Sequence, residues 1–257
     1  GGMTTVGLQI GSELPSPFPS SVHFFASSIP EPPLALPEEE ATTSAISSPL
    51  RLKEFRRGRH CARLALQQMQ IDSPIPRNPD TREPLWPDGV VGSITHSGKW
   101  AAAAAASVSE IAAIGIDVEQ IERSVNPGIA RLVCNEDEIT WLKSLDSAQA
   151  DLGLKAIFSA KESIYKCLFP RCRVPLKFQD ATIILLPDWN GFQFQLHCLC
   201  PPLITEQEVW LDGVLSLSRQ AILSGVFIKY MKQQDSYVIN PSFKTLPTFI
   251  NRTKKIL

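Results

Sequence analysis

The chain has six cysteines but no C-x-x-C pair, and Cys198-Leu199-Cys200 alternates within an apolar stretch. That spacing argues against a structural zinc site and leaves the cysteines to be read as buried thiols. No run of about 18 uncharged apolar residues is present, and no apolar run of secretory type opens the chain. A membrane-spanning helix and an exported protein are therefore not expected, and a cytoplasmic protein is. Surplus charge is missing too. With a formal net charge of -1, no global field draws the chain to nucleic acid or to an anionic membrane, so partners must be recognised patch by patch. Neither a Walker loop nor a G-x-G-x-x-G turn suggests an ordinary nucleotide fold.

What is present is a globular balance: 257 residues, 44% hydrophobic and 20% charged, enough for one sizeable domain or two of ordinary size. Gly1-Gly2 ahead of Met3 reads as tag-derived, and residues 11–50 are rich in proline and serine around one strand-like run, Val22-His23-Phe24-Phe25. Pro49 to Ile71 is helical in pattern, with Leu52, Phe55, Ala62, Leu66 and Met69 as its packed stripe. Its other faces carry Arg51, Lys53, Arg56, Arg57, Arg59 and Arg63. Such a run is either a solvated face or an anion site, and periodicity does not choose.

The segment "VVGSITHSGKWAAAAAASVS" raises a similar choice. Its alanine run is helical by propensity, yet a turn-like Ser-Glu and a strand follow it, which suits an antiparallel pair. Residues 126–145 and 153–169 look helical, and 181–187 and 192–200 look like strands. "DGVLSLSRQAILSGVFI" loosely repeats the alanine-rich segment. This predicts an α+β fold of two similar halves with a seam near residues 109–120.

"AIGIDVEQIER" reads as a strand in which Ile114, Ile116 and Val118 share one face while Gly115, Asp117 and Glu119 share the other. On helix 153–169, Ile157, Ala160, Ile164 and Leu168 form the core arc. Roughly opposite lie Ser159, Glu162 and Lys166, the last two one turn apart. Alone, Glu162 and Lys166 are a surface ion pair. Beside the acidic strand, Glu162 completes a three-carboxylate set for a hard cation such as Mg²⁺, which takes carboxylates, waters and substrate phosphates. Acids and nearby cations together spell a metal-bound diphosphate.

"GSITHSGKW", "GIDVE" and "FSAKESIYK", in that order, resemble the signature blocks of the Sfp/EntD-type 4′-phosphopantetheinyl transferases. "EFRRGRHCARLAL", "REPLWPDG" and "FPRCRVPLKFQDA" are similar to further blocks of the enterobactin-type and actinobacterial branch. The resemblance covers roughly residues 20–230. It implies transfer of the phosphopantetheine arm of coenzyme A to a serine of an apo acyl or peptidyl carrier protein, releasing adenosine 3′,5′-bisphosphate. It also implies two α/β halves related by a pseudo-twofold, with the active site in the cleft between them.

Carried over block by block, Asp117 and Glu119 bind Mg²⁺, with Mn²⁺ as an alternative ion, and Glu162 is third acid and general base. Lys166 contacts the pyrophosphate, and Thr95 and His96 hold a phosphate of coenzyme A. Arg51, Arg59 and Arg63 divide the nucleotide phosphates, Arg77 or Arg82 lies by the adenine, Lys161 of the "KES" block is a coenzyme A contact, and Leu176 lines the cleft. Expected boundaries are a disordered or tag-derived segment at 1–20, halves at 21–112 and 113–230, and an extension at 231–257 without a recognised counterpart. Expected partners are coenzyme A and carrier proteins, with no nucleic acid, on a monomer. Another Mg²⁺-dependent enzyme acting on a nucleotide diphosphate, or a non-catalytic carrier-protein binder, stands as the alternative. Docking of the carrier is expected on 126–145, where Ile129, Arg131, Leu132 and Val133 are either contact surface or helix core.

Overall fold

The alanine run forms a strand. In the structure, a computed structural model that describes residues 11–123, 125–173, 175–201, 209–230 and 237–239, the chain begins with β1 (Val22–Ser27), α1 (Pro37–Glu40) and α2 (Pro49–Gln68). Next come β2 (Val90–Ser97), β3 (Trp100–Ser107) and β4 (Ile111–Gln120), then α3 (Ala130–Val133), α4 (Glu136–Lys143) and α5 (Ser147–Cys172). Strands β5 (Ala181–Leu185), β6 (Gly191–Leu196), β7 (Trp210–Leu217), β8 (Ala221–Tyr230) and β9 (Tyr237–Ile239) complete it. One sheet has the order β1-β3-β2, and the other β4-β8-β7-β6-β5, with β9 paired to β8.

Burial explains why alanine wins in β3. Ala101, Ala103 and Ala105 pack against Cys61, Ala62, Ala65 and Leu66 of α2. Ala102, Ala104 and Ala106 pack against Ile114, Ile116 and Val118 of β4 and Leu223 and Phe227 of β8. A central strand covered on both faces needs small side chains if both layers are to approach, and that tertiary demand overrides helix propensity. The second sheet turns its other face to α5, where Ile157, Ala160 and Ile164 meet Phe192, Phe194, Ile222 and Val226. The layers run α2, first sheet, second sheet, α5. Each loosely repeated segment is an antiparallel hairpin, β2–β3 and β7–β8, and each half lays one long helix on its sheet. The α+β fold of two similar halves is as expected.

The seam has its own chemistry. β2 and β4 are edge strands of separate sheets, and side-chain hydroxyls join them: the Ile116 and Val118 amides donate to Ser93 Oγ (3.1 Å) and Thr95 Oγ1 (3.2 Å). The equal two-residue steps mean that the strands run parallel. Buried edge amides are thereby satisfied without a ladder.

Several expectations need correction. The helix expected over 126–145 is broken: a single 3₁₀ turn (Pro127–Ile129) leads into α3, and α4 starts afresh because Asn135 and Glu138 form a capping box. Helix α5 starts at Ser147 because the Asp146 side chain caps it on the Gln149 amide, and it ends on Arg173 in the left-handed region. The strands expected at 181–187 and 192–200 stop at Leu185 and Leu196. Within the segment expected at 1–20, Leu14 is buried and Phe18 packs on Phe24 and Phe227, so two apolar anchors reach the core. Residues 1–10 and most of 231–257 lie outside the described residues. Cys172 and Cys200 form a disulfide, since the end of α5 and the chain beyond β6 bring their Cα atoms to 5.5 Å. Of the rest, Cys61, Cys134 and Cys167 are buried thiols and Cys198 is half-buried.

Candidate active site

On β4, the face carrying Gly115, Asp117 and Glu119 meets α5. A Cβ on Gly115 would stand 2.1 Å from the Ser163 carbonyl oxygen, so only glycine lets the helix lie this close to the strand. That approach brings Lys166 Nζ to 3.1 Å from Asp117 Oδ1 and 3.3 Å from Thr95 Oγ1. Asp117 Oδ2 is buried with no hydrogen-bond partner. Glu119 lies two residues on along the same face, and Ser97 Oγ donates to Glu119 Oε2 at 3.5 Å.

Electrostatics mark the pair as poised. Burial raises the Asp117 pKa against the pull of Lys166. Burial and the Asp117 charge push Glu119 up to about 8, so the two carboxyls share a proton at neutral pH. Burial and Asp117 also raise Glu162.

Two cavities flank these acids. One, of about 580 Å³, is lined by Arg51, Arg59, Arg77, Arg82, His96 and Arg123 among others. It gathers most of the cations expected for nucleotide phosphates and includes both candidates for the adenine turn. Arg59 lies 4.4 Å over the Phe55 ring and donates from Nε to the Ile75 carbonyl. Its Nη2 is buried without a partner, and burial, with Arg77 and Arg63 nearby, lowers its pKa to about 10 against the pull of Glu39. A spare donor on a cation still charged at neutral pH suits an anion. The second cavity, of about 240 Å³, is lined by Glu162, Tyr165, Leu176, Phe178 and Leu196 among others. Leu176 is both lining and packed on the core.

Lys161 also lines this second cavity, but it is buried there with its ammonium 2.7 Å from both Glu138 Oε1 and the Val133 carbonyl, so its charge already has partners within the fold. Thr95 is buried at the seam and holds Val118 and Lys166; it does not line the arginine cavity. Arg63 is paired with buried Glu39, which also accepts from the Ile75 and Leu36 amides. Arg51 and Arg59 remain in the cavity. Arg123, Ser97 and Glu54 belong to the site and were not anticipated. Glu54 is three residues after Arg51 on α2, so helical spacing could have found it.

The donor set fits Mg²⁺. Its oxygens are hard, one is orphaned, and the shared proton can be displaced by a cation. Among the described residues no three His, Cys, Asp or Glu side chains converge into a cage, so Glu162 stands apart from the pair. One or two carboxylates with the remaining ligands from phosphates and water is the usual Mg²⁺ arrangement.

An antiparallel α+β scaffold places a buried Asp–Glu pair beside a cavity rich in arginine, an arrangement suited to a phosphate-bearing ligand. The pattern of the 4′-phosphopantetheinyl transferase N-terminal domain matches residues 38–106, and that of the 4′-phosphopantetheinyl transferase superfamily matches 113–210. The 4′-phosphopantetheinyl transferase Svp of Streptomyces mobaraensis is 36% identical over 73% of this chain and 76% of its own. PptT of Mycobacterium tuberculosis, also a 4′-phosphopantetheinyl transferase, is 31% identical over 87% of this chain and 100% of its own. Enterobactin synthase component D of Salmonella typhi is 34% identical over 74% and 79%. The chain belongs to the 4′-phosphopantetheinyl transferase superfamily.

Proposed function

We propose that the chain moves 4′-phosphopantetheine from coenzyme A to a serine of an apo acyl or peptidyl carrier protein, with the nucleotide in the arginine cavity and the pantetheine arm toward Leu176. One observation supports this reading above others: Ser97, which lines the arginine cavity, donates to Glu119, and Asp117 on the same strand face pairs with Lys166, one turn of α5 from Glu162 in the second cavity. Coenzyme A matches that order of charge, with phosphates at one end, a diphosphate in the middle and a mostly apolar arm.

The serine oxygen bonds to the phosphorus that carries pantetheine, and the bond from that phosphorus to the bridging oxygen breaks. Glu162 takes the serine proton, directly or through one water, and burial, with the Asp117 charge, raises its pKa and so its basicity. Lys166 meets the charge that builds on the departing phosphate, while Arg51, Arg59 and His96 hold the nucleotide phosphates and keep the reactants in register. A Mg²⁺ or Mn²⁺ ion held by Asp117 and Glu119, its other positions filled by phosphate oxygens and water, would screen the diphosphate oxygens from the incoming nucleophile. Residues 21–112 thus supply phosphate contacts and 113–230 the acids, on a cytoplasmic monomer. Mass spectrometry of an apo carrier after incubation with the protein, coenzyme A and Mg²⁺ tests the reading. A gain of one phosphopantetheinyl group is expected, and an unmodified carrier would reject it.

A further inference from the structure

The arginine cavity contains one carboxylate. Glu54 lines it together with five arginines and His96, and a negative side chain there opposes any anion that enters. It does not neutralise an arginine. Among the described residues its one ion-pair contact is His96, whose Nδ1 lies 3.6 Å from Glu54 Oε2.

The placement is rigid. A Cβ on Gly58, one turn beyond Glu54, would stand 2.9 Å from Ile94 Cγ2, so α2 lies hard against β2 two residues before His96. The Glu54 side chain is 17% exposed and that of His96 49%. A carboxylate 3.6 Å from Nδ1 attracts that edge of the ring and leaves Nε2 as the nitrogen available to the cavity that His96 lines.

We propose that Glu54 is a positioning residue, holding the His96 imidazole so that its far nitrogen donates to a phosphate of the ligand. The inference rests on the coenzyme A reading above and adds a residue to it. Charge explains why a carboxylate is tolerated in an anion pocket. The pocket walls desolvate His96, and Lys166, Arg59 and Arg57 press its pKa down further; Glu54 alone pushes it up. Without Glu54 the ring would lose the one neighbour that favours its charged form, the stronger of its two donor states.

The test has two arms. In the first, the four histidines are ¹³C-labelled and titrated by NMR in the free protein, with His96 assigned from His96→Gln. Glu54→Gln should lower the His96 pKa by about 0.5–1 unit, and Glu54→Asp should recover part of the shift. An unchanged His96 pKa overturns the proposal, and this arm needs no substrate. In the second arm, calorimetry measures adenosine 3′,5′-bisphosphate affinity from pH 6 to 8.5. Glu54→Gln should weaken binding about three- to tenfold near pH 6, about 1 kcal/mol, and less at pH 8.5, where the free imidazole is neutral in both proteins. Combined with His96→Gln it should add nothing to the loss from His96→Gln alone. A loss that is independent of pH and additive overturns the proposal, because it would mean that Glu54 only supports α2. Failure of the transfer reading would show instead as adenosine 3′,5′-bisphosphate binding to no variant, with the NMR result unaffected.

Discussion

Lys161 and Lys166 lie on the same helix, and each ends on a buried carboxylate. Lys161 meets Glu138, whose Oε1 also accepts from the Asn135 amide and whose Oε2 accepts from the Ile183 amide. Both carboxylate oxygens in that cluster are engaged. Lys166 meets Asp117, whose second oxygen is buried with nothing on it. A saturated ion pair joins α5 to α4 and β5. An unsaturated one of the same composition keeps its desolvation cost uncompensated until a ligand arrives, and that is the mark of a site.

The largest expected effect separates the two pairs by what is lost. Asp117→Asn should lower transfer at least about a thousandfold, about 4 kcal/mol in the barrier, with little change in melting. Glu138→Gln should do the reverse, costing about 3 kcal/mol of stability because it strands the Lys161 ammonium in the core. Activity per folded molecule should survive. Thermal melts and single-turnover rates on both proteins check this, and equal loss of activity in both would dissolve the distinction.

The next test uses protons. Glu119 holds its proton up to about pH 8 when folded and ionises near its ordinary 4.5 when unfolded. Between those values the unfolded state binds fewer protons, so this group makes the metal-free protein less stable as pH rises. Melting in chelator should therefore fall between pH 5.5 and 8.5. Glu119→Gln should reduce that fall by about 2 °C, and Mg²⁺ should offset it at the alkaline end, where the pair is ionised. A fall of the same size in Glu119→Gln, or no response to Mg²⁺ at pH 8.5, would place the proton and the ion elsewhere.

Sequence patterns revealed the strand face of Asp117 and Glu119 because alternation is local, and the amphipathic helix beneath it for the same reason. They did not separate Lys161 from Lys166, which share one block of sequence. Their roles part only when α4 delivers Glu138 and β4 delivers Asp117 from elsewhere in the chain. Thr95 misled in the same way: its neighbour His96 points into the arginine cavity, while Thr95, one residue earlier on an alternating strand, points into the seam. The alanine strand was undecidable locally because propensity and burial disagreed. Arg63 read as one more cation on a basic helix until Glu39, well before it in sequence, claimed it.

The smallest expected effect sharpens what the Lys161 pair is for. Besides Glu138, Lys161 holds the carbonyl of Val133 at the end of α3, and the Arg131 carbonyl accepts from Gln179 in the turn beside the Glu162 cavity. Val133 is buried in the core, whereas Ile129 and Leu132 are 37% and 71% exposed. The two readings of this segment therefore divide by residue: Val133 is core, and Ile129, Arg131 and Leu132 form surface beside the acid. An apolar patch with one cation suits the acidic helix that carrier proteins of this class present. Arg131→Glu should weaken carrier binding about three- to tenfold at low salt and less at moderate salt, with coenzyme A affinity unchanged, since reversing a rim charge acts through encounter. Titrating an apo carrier at two salt concentrations checks it, and identical affinities for wild type and variant at both would move the docking surface away from α3.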